Sequence, residues 1–200
     1  MPYPNSADSE AARLAALHLL GVLDTPPVPA LDALVKAASL VCGVPIALLS
    51  LLDQDRQWFK ANHGLPDMTQ TPRDVAFCDH TIRGDELLEV RDATLDLRFA
   101  DNPLVTSQPG IRFYAGVPLR NADGPVIGTL CLMDKAPRTL DDSEMQLLAS
   151  LADEVMALLE HAREATAGNV SPQRMGGDAG TAPQPAEPGL GPLPASPAPA

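Results

Sequence analysis

Basic residues and long apolar segments are scarce in this chain of 200 residues. Lys and Arg number 14 against 26 Asp and Glu, so the formal net charge is −12. This acidic balance argues against the clustered basic surface that binds nucleic acids and anionic membranes. The longest near-apolar run, 40–52, is interrupted by Gly43, Pro45 and Ser50 and is shorter than the roughly 20 residues of a spanning helix. We expect neither a nucleic acid nor a membrane as partner.

Cysteine is also rare, with only Cys42, Cys78 and Cys131 and no C-x-x-C pair. An odd number of widely spaced cysteines is typical of reduced thiols and not of a disulfide framework. The first residues lack the basic segment of a secretory signal, because Asp8 and Glu10 precede the first apolar stretch. The sequence therefore predicts a cytoplasmic protein.

Hydrophobic residues make up 45% of the chain, as in folded domains, but they are unevenly distributed. Of the 34 residues from 167 to 200, 21 are Pro, Gly or Ala. Too few large apolar side chains remain there to offset the entropy of ordering the backbone. We predict a flexible N-terminus (1–9), a folded domain (10–165) and a disordered tail rich in Pro, Gly and Ala (166–200).

Hydrophobic periodicity divides the folded domain into helices at its two ends and strands between them. A first helix ends at Gly21, and apolar residues with helical spacing predict a second helix over 31–41. Asp141 and Glu144 form a capping-box pattern that opens a last helix, which runs to about residue 163. The expected strands are 46–52, 57–63, 87–91, 112–119 and 126–133. Short turns between strands, with helices at both chain ends, predict an α+β fold with a mostly antiparallel sheet.

Aromatic residues are few, and six of the seven lie between residues 58 and 114. They are Trp58, Phe59, Phe77, Phe99, Phe113 and Tyr114. The same window holds a long irregular segment, 92–110, and loops of this length tend to be functional. Two interpretations fit this pattern. The rings either line a pocket between sheet and loop, where a small ligand could lose water, or form a core beneath the loop.

The most concentrated group of polar, reactive side chains is Cys78-Asp79-His80. It fits a redox thiol beside an imidazole, a metal-binding pair, ligand contacts, or a short polar helix with Cys78 buried and His80 hydrogen-bonded. A metal site is disfavoured because the other candidate ligands, His63 and Cys131, are single residues on different elements. Covalent catalysis is disfavoured because no third group that would orient His80 is evident.

Two arginines and an amide flank the aromatic residues of the irregular segment. Arg98, Asn102 and Arg112 lie next to or near Phe99 and Phe113 in the sequence. A guanidinium group suits a carboxylate or phosphate ligand. In so acidic a chain, pairing with neighbouring carboxylates is the favoured interpretation, and the candidates are Asp92, Asp96 and Asp101.

Several short motifs, spread from about residue 11 to residue 159, resemble one known family. They are Asp24-Thr25-Pro26-Pro27, Gly43-Val44-Pro45-Ile46-Ala47, Asp53-x-x-Arg56-Gln57-Trp58-Phe59-Lys60, Phe77-Cys78-x-His80-x-Ile82, Asp92, Arg98-Phe99-x-x-Asn102-Pro103-Leu104-Val105, Ile111-Arg112-Phe113-Tyr114-Ala115-Gly116-x-Pro118-Leu119 and Gly128-Thr129-Leu130-Cys131. This series resembles a GAF domain of the subtype found at the N-terminus of bacterial sensor kinases and cyclic-di-GMP enzymes. The resemblance implies an antiparallel sheet of five or six strands, with terminal helices on one face and ligand-covering loops on the other.

The resemblance also implies a function. No kinase, cyclase or phosphodiesterase sequence follows the last helix. We therefore expect a stand-alone, non-catalytic sensor or regulatory module of signal transduction that binds an unidentified small molecule. Its partner would be a kinase or a cyclic-di-GMP enzyme in trans; no metal is expected, and the sequence identifies no cofactor. The expected ligand-binding residues are Trp58, Phe77, Cys78, His80, Asp92, Arg98, Phe99, Asn102, Phe113, Tyr114 and Cys131.

Two alternative functions and the formation of a homodimer remain open. Some GAF-fold proteins are thiol enzymes that reduce free methionine sulfoxide, and Cys78 and Cys131 keep this activity open, although their surrounding motifs do not resemble that group. A ligand-free module for protein association is the other alternative. Terminal helices of GAF proteins often form a dimer bundle. Here the apolar residues available for such a homodimer are Leu14, Leu17, Leu20, Leu148, Leu151, Val155, Leu158 and Ala162.

Overall fold

The computed structural model describes residues 7–121 and 124–168. The helices are α1 (Ala7–Leu20), α2 (Pro29–Val41), α3 (Phe77–Thr81), α4 (Pro103–Thr106) and α5 (Asp142–Gly168). The strands are β1 (Ile46–Leu52), β2 (Arg56–His63), β3 (Gln70–Pro72), β4 (Leu88–Val90), β5 (Phe113–Arg120) and β6 (Val126–Asp134). A 3₁₀ turn covers Arg73–Val75.

The predicted end segments fall largely outside this description. Residues 1–6 and 169–200, which include most of the predicted flexible N-terminus and tail, lie outside the described residues. Of the remainder, residues 7–9 are helical in α1 and residues 166–168 are helical in α5. The predicted domain limits, 10 and 165, are therefore each three residues inside a helix.

The six strands form one antiparallel sheet in the order β3-β2-β1-β6-β5-β4. Strand β1 pairs with β2 and β6 and is buried along its whole length, as its sequence, apolar except for Ser50, predicts. The α+β class and the five predicted strands are confirmed. Strand β3 is an addition that the sequence does not signal. It has only three residues and ends at Pro72, a residue that a sheet accepts at its edge because it lacks an N–H.

Helices α1, α2 and α5 cover one face of the sheet, which we call the helix face. Alternate residues of each strand point to this face because side chains alternate along a strand. The large core on this side includes Leu17 of α1, Val35 of α2, Leu49 of β1, Phe113 of β5 and Val155 of α5. These side chains hold the terminal helices against the centre of the sheet.

The start of α5 has the predicted capping box. The Glu144 N–H donates to Asp141 Oδ1 at 2.8 Å, and the Asp141 N–H donates to Glu144 Oε2 at 2.9 Å. Two backbone donors that the helix cannot satisfy internally are thereby paired. None of the helices within residues 7–121 and 124–168 is both long and apolar enough to cross a lipid bilayer.

Helices α3 and α4 lie on the opposite face of the sheet, together with the segments that follow β2 and β4. We call this the loop face. It carries a second core, which includes Leu48 of β1, Phe77 of α3, Phe99, Tyr114 of β5 and Cys131 of β6. The long segment between β4 and β5 is thus a packed layer that contains the short helix α4.

Candidate functional site

A row of buried polar side chains crosses four neighbouring strands on the loop face. It consists of Thr71 (β3), Gln57 (β2), Ser50 (β1) and Thr129 (β6), which we call the polar row. Thr71 is directly opposite Gln57, and Ser50 is directly opposite Thr129. Gln57 Nε2 donates to Ser50 Oγ at 3.1 Å. The row places hydrogen-bonding groups inside an otherwise apolar layer, where an unpaired polar atom is costly.

A small cavity lies beside the polar row, beneath the two loops that follow β2 and β4. Its free volume is about 20 Å³, room for about one water molecule. Its lining is Leu48, Gln57, Phe59, Leu65, Met68, Thr71, Phe77, Cys78, Leu104, Pro109, Ile111 and Met133. Within the described part of the chain, Gln57 Oε1 and Thr71 Oγ1 are buried without a hydrogen-bond partner. The cavity is therefore apolar with two polar atoms left to satisfy.

Two thiols meet next to this cavity. Cys78 Sγ of α3 and Cys131 Sγ of β6 are 3.7 Å apart, and the two side chains are 1% and 0% exposed. The Tyr114 hydroxyl donates to Cys78 Sγ at 3.5 Å and lies 2.6 Å from Thr81 Oγ1. Gly116 makes room for this hydroxyl, because a Cβ there would lie 2.1 Å from it. The fold thus joins α3 to the sheet through a chain of sulfur and hydroxyl groups.

The pKa values of the two thiols are shifted in opposite directions. Burial opposes ionisation of Cys78, but the hydrogen bonds that its sulfur makes, first with Cys131 and then with Thr129 and Tyr114, outweigh burial and lower the pKa of this thiol to about 7. The pKa of Cys131 is raised well above its usual range, first by the hydrogen bond with Cys78 and then by burial. Cys78 is therefore the thiol of the pair that ionises first.

Aromatic rings pack closely around α3. The rings of Phe77 and Phe99 stack with centroids 4.2 Å apart, and Phe77 lies 5.2 Å from Tyr114. The exposed His80 ring packs edge-to-face with Phe99, with ring centroids 4.7 Å apart, and the Arg98 guanidinium lies 5.1 Å from the Phe99 ring. Phe99 itself is only 1% exposed and does not line the cavity. Three of the predicted pocket aromatics thus form a core cluster beside the cavity.

Two other predicted pocket residues lie on the wrong side of the sheet. Phe113 is in the core of the helix face, and Trp58 packs against the same core. Because neighbouring residues of a strand point to opposite faces, Phe113 and Tyr114 cannot line one pocket. We predicted that Trp58 and Phe113 share a ligand site with Tyr114 and Phe99. The alternation of side chains along the strands contradicts this prediction, because it places Trp58 and Phe113 on the helix face.

The predicted polar contacts have structural partners of their own. Arg98 pairs with Asp96 at 2.6 Å, one of the carboxylates considered from the sequence, and Arg112 Nη1 donates to the Val105 carbonyl at 2.9 Å. Asn102 Oδ1 accepts from the N–H of Leu104 at the start of α4, and Asp92 Oδ1 accepts from Thr94. None of Asp92, Arg98, Asn102 and Arg112 lines the cavity. Their contacts order the loop between β4 and β5.

An ion-pair chain connects α3 to the N-terminal helix. Arg73 Nε donates to Asp79 Oδ1 of α3 at 2.8 Å, and Arg73 Nη1 donates to Glu10 Oε1 of α1 at 2.6 Å. Arg13 also pairs with Glu10, at 2.7 Å. This hydrogen bond is the main cause that lowers the pKa of Glu10 to about 2. The carboxylate of Asp79, the residue after Cys78, is thus linked to Glu10 of α1 through Arg73.

Across the described residues, no group of three or more His, Cys, Asp and Glu side chains is arranged to hold a metal ion. A family model for the GAF domain matches residues 26–159 of the chain. The chain belongs to the GAF domain family. The match covers all six strands and most of α5.

Similar GAF domains occur as parts of larger proteins. A cyclic di-GMP phosphodiesterase of Pseudomonas aeruginosa is 44% identical over 160 residues, which are 80% of this chain and 25% of that protein. The chain therefore spans about a quarter of the length of this curated relative. The GAF domain of a phosphoenolpyruvate-protein phosphotransferase from Coxiella burnetii matches with a TM-score of 0.60 and 18% identity, over 78% of this chain and 96% of that one.

A reductase has the same fold. The free methionine-R-sulfoxide reductase of Neisseria meningitidis, solved in complex with its substrate, matches with a TM-score of 0.57 and 20% identity. The alignment covers 80% of this chain and 96% of that one. Identities this low show a shared fold, and fold alone does not assign an activity.

Sequence reasoning found three of the residues around the GAF cavity and missed the others. Phe77 and Cys78 were among the expected ligand-binding residues, and Phe59 was one of the aromatic residues considered as pocket lining, whereas Gln57, Thr71 and the apolar loop residues were not. One signal was present: Ser50 and Gln57 are polar residues in segments that the pattern assigns to the buried part of the sheet. Thr71 gave no such signal because its strand was not predicted.

Proposed function

We propose that this GAF domain is a sensor or regulatory module of bacterial signal transduction that binds a small, uncharged molecule in the cavity of the loop face. The similarity to part of a cyclic di-GMP phosphodiesterase supports a signalling context. A kinase or a cyclic-di-GMP enzyme is then the partner that responds to the module. A cytoplasmic location is part of the proposal, because a reducing compartment keeps its three free cysteines as thiols.

The observation that carries the proposal is the pair of unpartnered oxygens in the apolar cavity. Leaving a buried polar atom unpaired costs about 1–3 kcal/mol, so a ligand that donates to Gln57 Oε1 or pairs with Thr71 Oγ1 would recover this free energy. No Asp, Glu, Lys, Arg or His side chain lines the cavity. A charged ligand would lose its water without gaining a counter-charge, so the chemistry favours a neutral molecule with an N–H or O–H group.

A ligand larger than water requires the covering loops to move. Leu65 and Met68 reach the cavity from the segment between β2 and β3, and Leu104 and Pro109 from the segment between β4 and β5. Binding therefore selects a conformation in which these apolar side chains stand apart. The conformation of the covering loops would then differ between the bound and free states, as a sensor requires.

The ion-pair chain offers a route from the cavity to the rest of a signalling assembly. Phe77 and Cys78 line the cavity and Asp79 follows them on α3, so a shift of α3 would alter the Asp79–Arg73–Glu10 contacts with α1. We further propose that the terminal helices form a homodimer. On α5, Leu151 and Leu158 are only half buried within the chain and remain available to a second copy, whereas Leu148 and Val155 are buried.

Native mass spectrometry of the purified chain tests both proposals. We expect dimers, and a bound small molecule that is retained by the wild type. Gln57→Leu and Thr71→Val remove the polar atoms with little change of shape and should each weaken binding about tenfold. Gln146→Leu is the matched control, because Gln146 is exposed on α5 away from the cavity.

A thermal-shift screen of charged and uncharged metabolites covers a ligand that is lost during purification. An uncharged compound should raise the melting temperature of the wild type and of Gln146→Leu more than that of Gln57→Leu. If no compound does so and no molecule co-purifies, the domain is a ligand-free association module. Equal binding by all variants would place the ligand elsewhere.

We also propose that the domain does not reduce free methionine sulfoxide, although the Cys78–Cys131 pair makes this rival activity worth testing. The cavity beside Cys78 has no charged side chain to pair with the ammonium and carboxylate groups of this substrate. We expect no thiol-dependent turnover in an NADPH-coupled assay with thioredoxin. Robust activity in the wild type that is lost in Cys78→Ser would assign the chain to the enzymes instead.

A further inference from the structure

The two thiols on the loop face are brought together from distant parts of the chain. Cys78 and Cys131 are 53 residues apart in sequence, and their sulfur atoms are 3.7 Å apart. The third cysteine, Cys42, belongs to the core of the helix face and lies on the other side of the sheet. The fold thus provides one thiol pair and one separate thiol with a similar degree of burial, 1% exposed.

We propose that Cys78 and Cys131 are a redox modification site, at which a small hydroperoxide such as hydrogen peroxide converts the two thiols to a disulfide. In the first step the Cys78 sulfur attacks the peroxide, the O–O bond breaks, and Cys78 becomes a sulfenic acid while water leaves. In the second step the Cys131 sulfur displaces the hydroxyl group of the sulfenic acid and the S–S bond forms, releasing a second water. Two thiols lose two electrons and two protons in total, and one peroxide is reduced to two waters.

The geometry gives the two sulfurs different roles in this oxidation: Cys78 attacks the peroxide, and Cys131 attacks the sulfenic acid. Cys78 lines the cavity, which has room for about one water molecule and would admit a peroxide once the covering loops move, whereas Cys131 does not line it. Cys78 also accepts the hydrogen bond of the Tyr114 hydroxyl and ionises first, and the thiolate is the form that attacks a peroxide. Cys131 is then in place to attack the sulfenic acid, and no other cysteine is present on this face of the described chain.

Disulfide formation would move α3. The sulfur atoms must approach from 3.7 Å to a bond length of about 2.05 Å, which draws Cys78 toward β6. Its neighbours on α3 are Phe77, which lines the cavity, and Asp79, which binds Arg73. Oxidation would therefore change the cavity wall and the ion-pair chain to α1. This effect does not require a ligand in the cavity.

The experiment treats the folded 200-residue chain with equimolar hydrogen peroxide and then uses alkylation under denaturing conditions and peptide mapping. Before alkylation we expect the intact mass to be about 2 Da lower than that of the reduced chain, because a disulfide has two hydrogens fewer than two thiols. After alkylation, peptide mapping should show a Cys78–Cys131 cross-linked peptide and alkylated Cys42. Dithiothreitol should restore three alkylated cysteines. The Cys42→Ser variant is the control and should form the same cross-link at the same rate.

Single replacements of the pair test the order of steps. Cys131→Ser should accumulate a sulfenic acid on Cys78 that dimedone labels, whereas Cys78→Ser should leave Cys131 unlabelled. Cys78 should react about tenfold faster than Cys42, because it lines the cavity and accepts the Tyr114 hydrogen bond, whereas Cys42 lies in the core of the helix face. If a serine variant fails to fold, the comparison of Cys78 with Cys42 in the wild type still decides. Equal rates for Cys78 and Cys42, or cross-links only between chains, would overturn the proposal.

Discussion

Replacing Phe99 with alanine should lower the free energy of unfolding by about 3–5 kcal/mol, the range for large aromatic side chains in cores. The ring is 1% exposed, stacks on Phe77 with centroids 4.2 Å apart and packs edge-to-face with His80. Its removal would leave a cavity between α3 and the long loop that neither can fill without moving. Chemical denaturation monitored by the single tryptophan, Trp58, measures the loss.

Leu97→Ala is the matched control for this variant. Leu97 lies two residues earlier in the same loop and is 100% exposed, so its truncation should change the free energy of unfolding by less than about 0.5 kcal/mol. The sequence alone left open whether Phe99 is a lid over a ligand or part of the core. A Phe99→Ala variant that unfolds at the wild-type midpoint but no longer binds a ligand would establish the lid.

Leu49→Ala should be comparably destabilising, by about 2–5 kcal/mol. Leu49 is 0% exposed in the central strand, is paired with Ala61 and Leu130, and packs into the core of the helix face. Strands on both sides hold β1 in place, so the structure around a truncated side chain has little freedom to collapse. The loss of stability is measured as a shift of the denaturant midpoint, provided that the slope of the free energy of unfolding against denaturant concentration is unchanged.

Leu48 and Leu40 make this experiment more specific. Leu48→Ala truncates the next residue, which points to the loop face and lines the cavity, so we expect a similar loss of stability from the opposite core. Leu40→Ala removes a leucine that is 67% exposed on α2 and should have almost no effect. Wild-type midpoints for both Leu48→Ala and Leu49→Ala would contradict the central, doubly buried position of β1.

Most of the fold could be predicted from local patterns. The apolar run 46–52 predicted β1 with its observed limits, and the capping-box pattern predicted the start of α5. Strand β3 could not be predicted, because three residues carry too little periodicity and Pro72 is unfavourable in most strands. It forms only because β2 presents a free edge to which Gln70–Pro72 can pair.

The candidate site was predicted only in part, for a different reason. Aromatic content and motif resemblance located Phe77, Cys78, Phe99 and Tyr114 in one region, and the structure does bring them together. Phe113 was grouped with them by proximity in sequence, although strand alternation already places it on the other face from Tyr114. Gln57 and Thr71 could not be assigned to a cavity until β2 and β3 were paired.

The sequence by itself determined the class of fold, the central strand, the capped last helix and the membership of the GAF domain family, because these depend on local periodicity, capping and short motifs. Only the tertiary structure decided which side chains meet. The pairing of β1 with β6 and the docking of α3 on the loop face place Cys78 beside Cys131, across 53 residues of chain. The physical reason is that strand register and helix docking are set by burial of whole faces, which no single motif encodes.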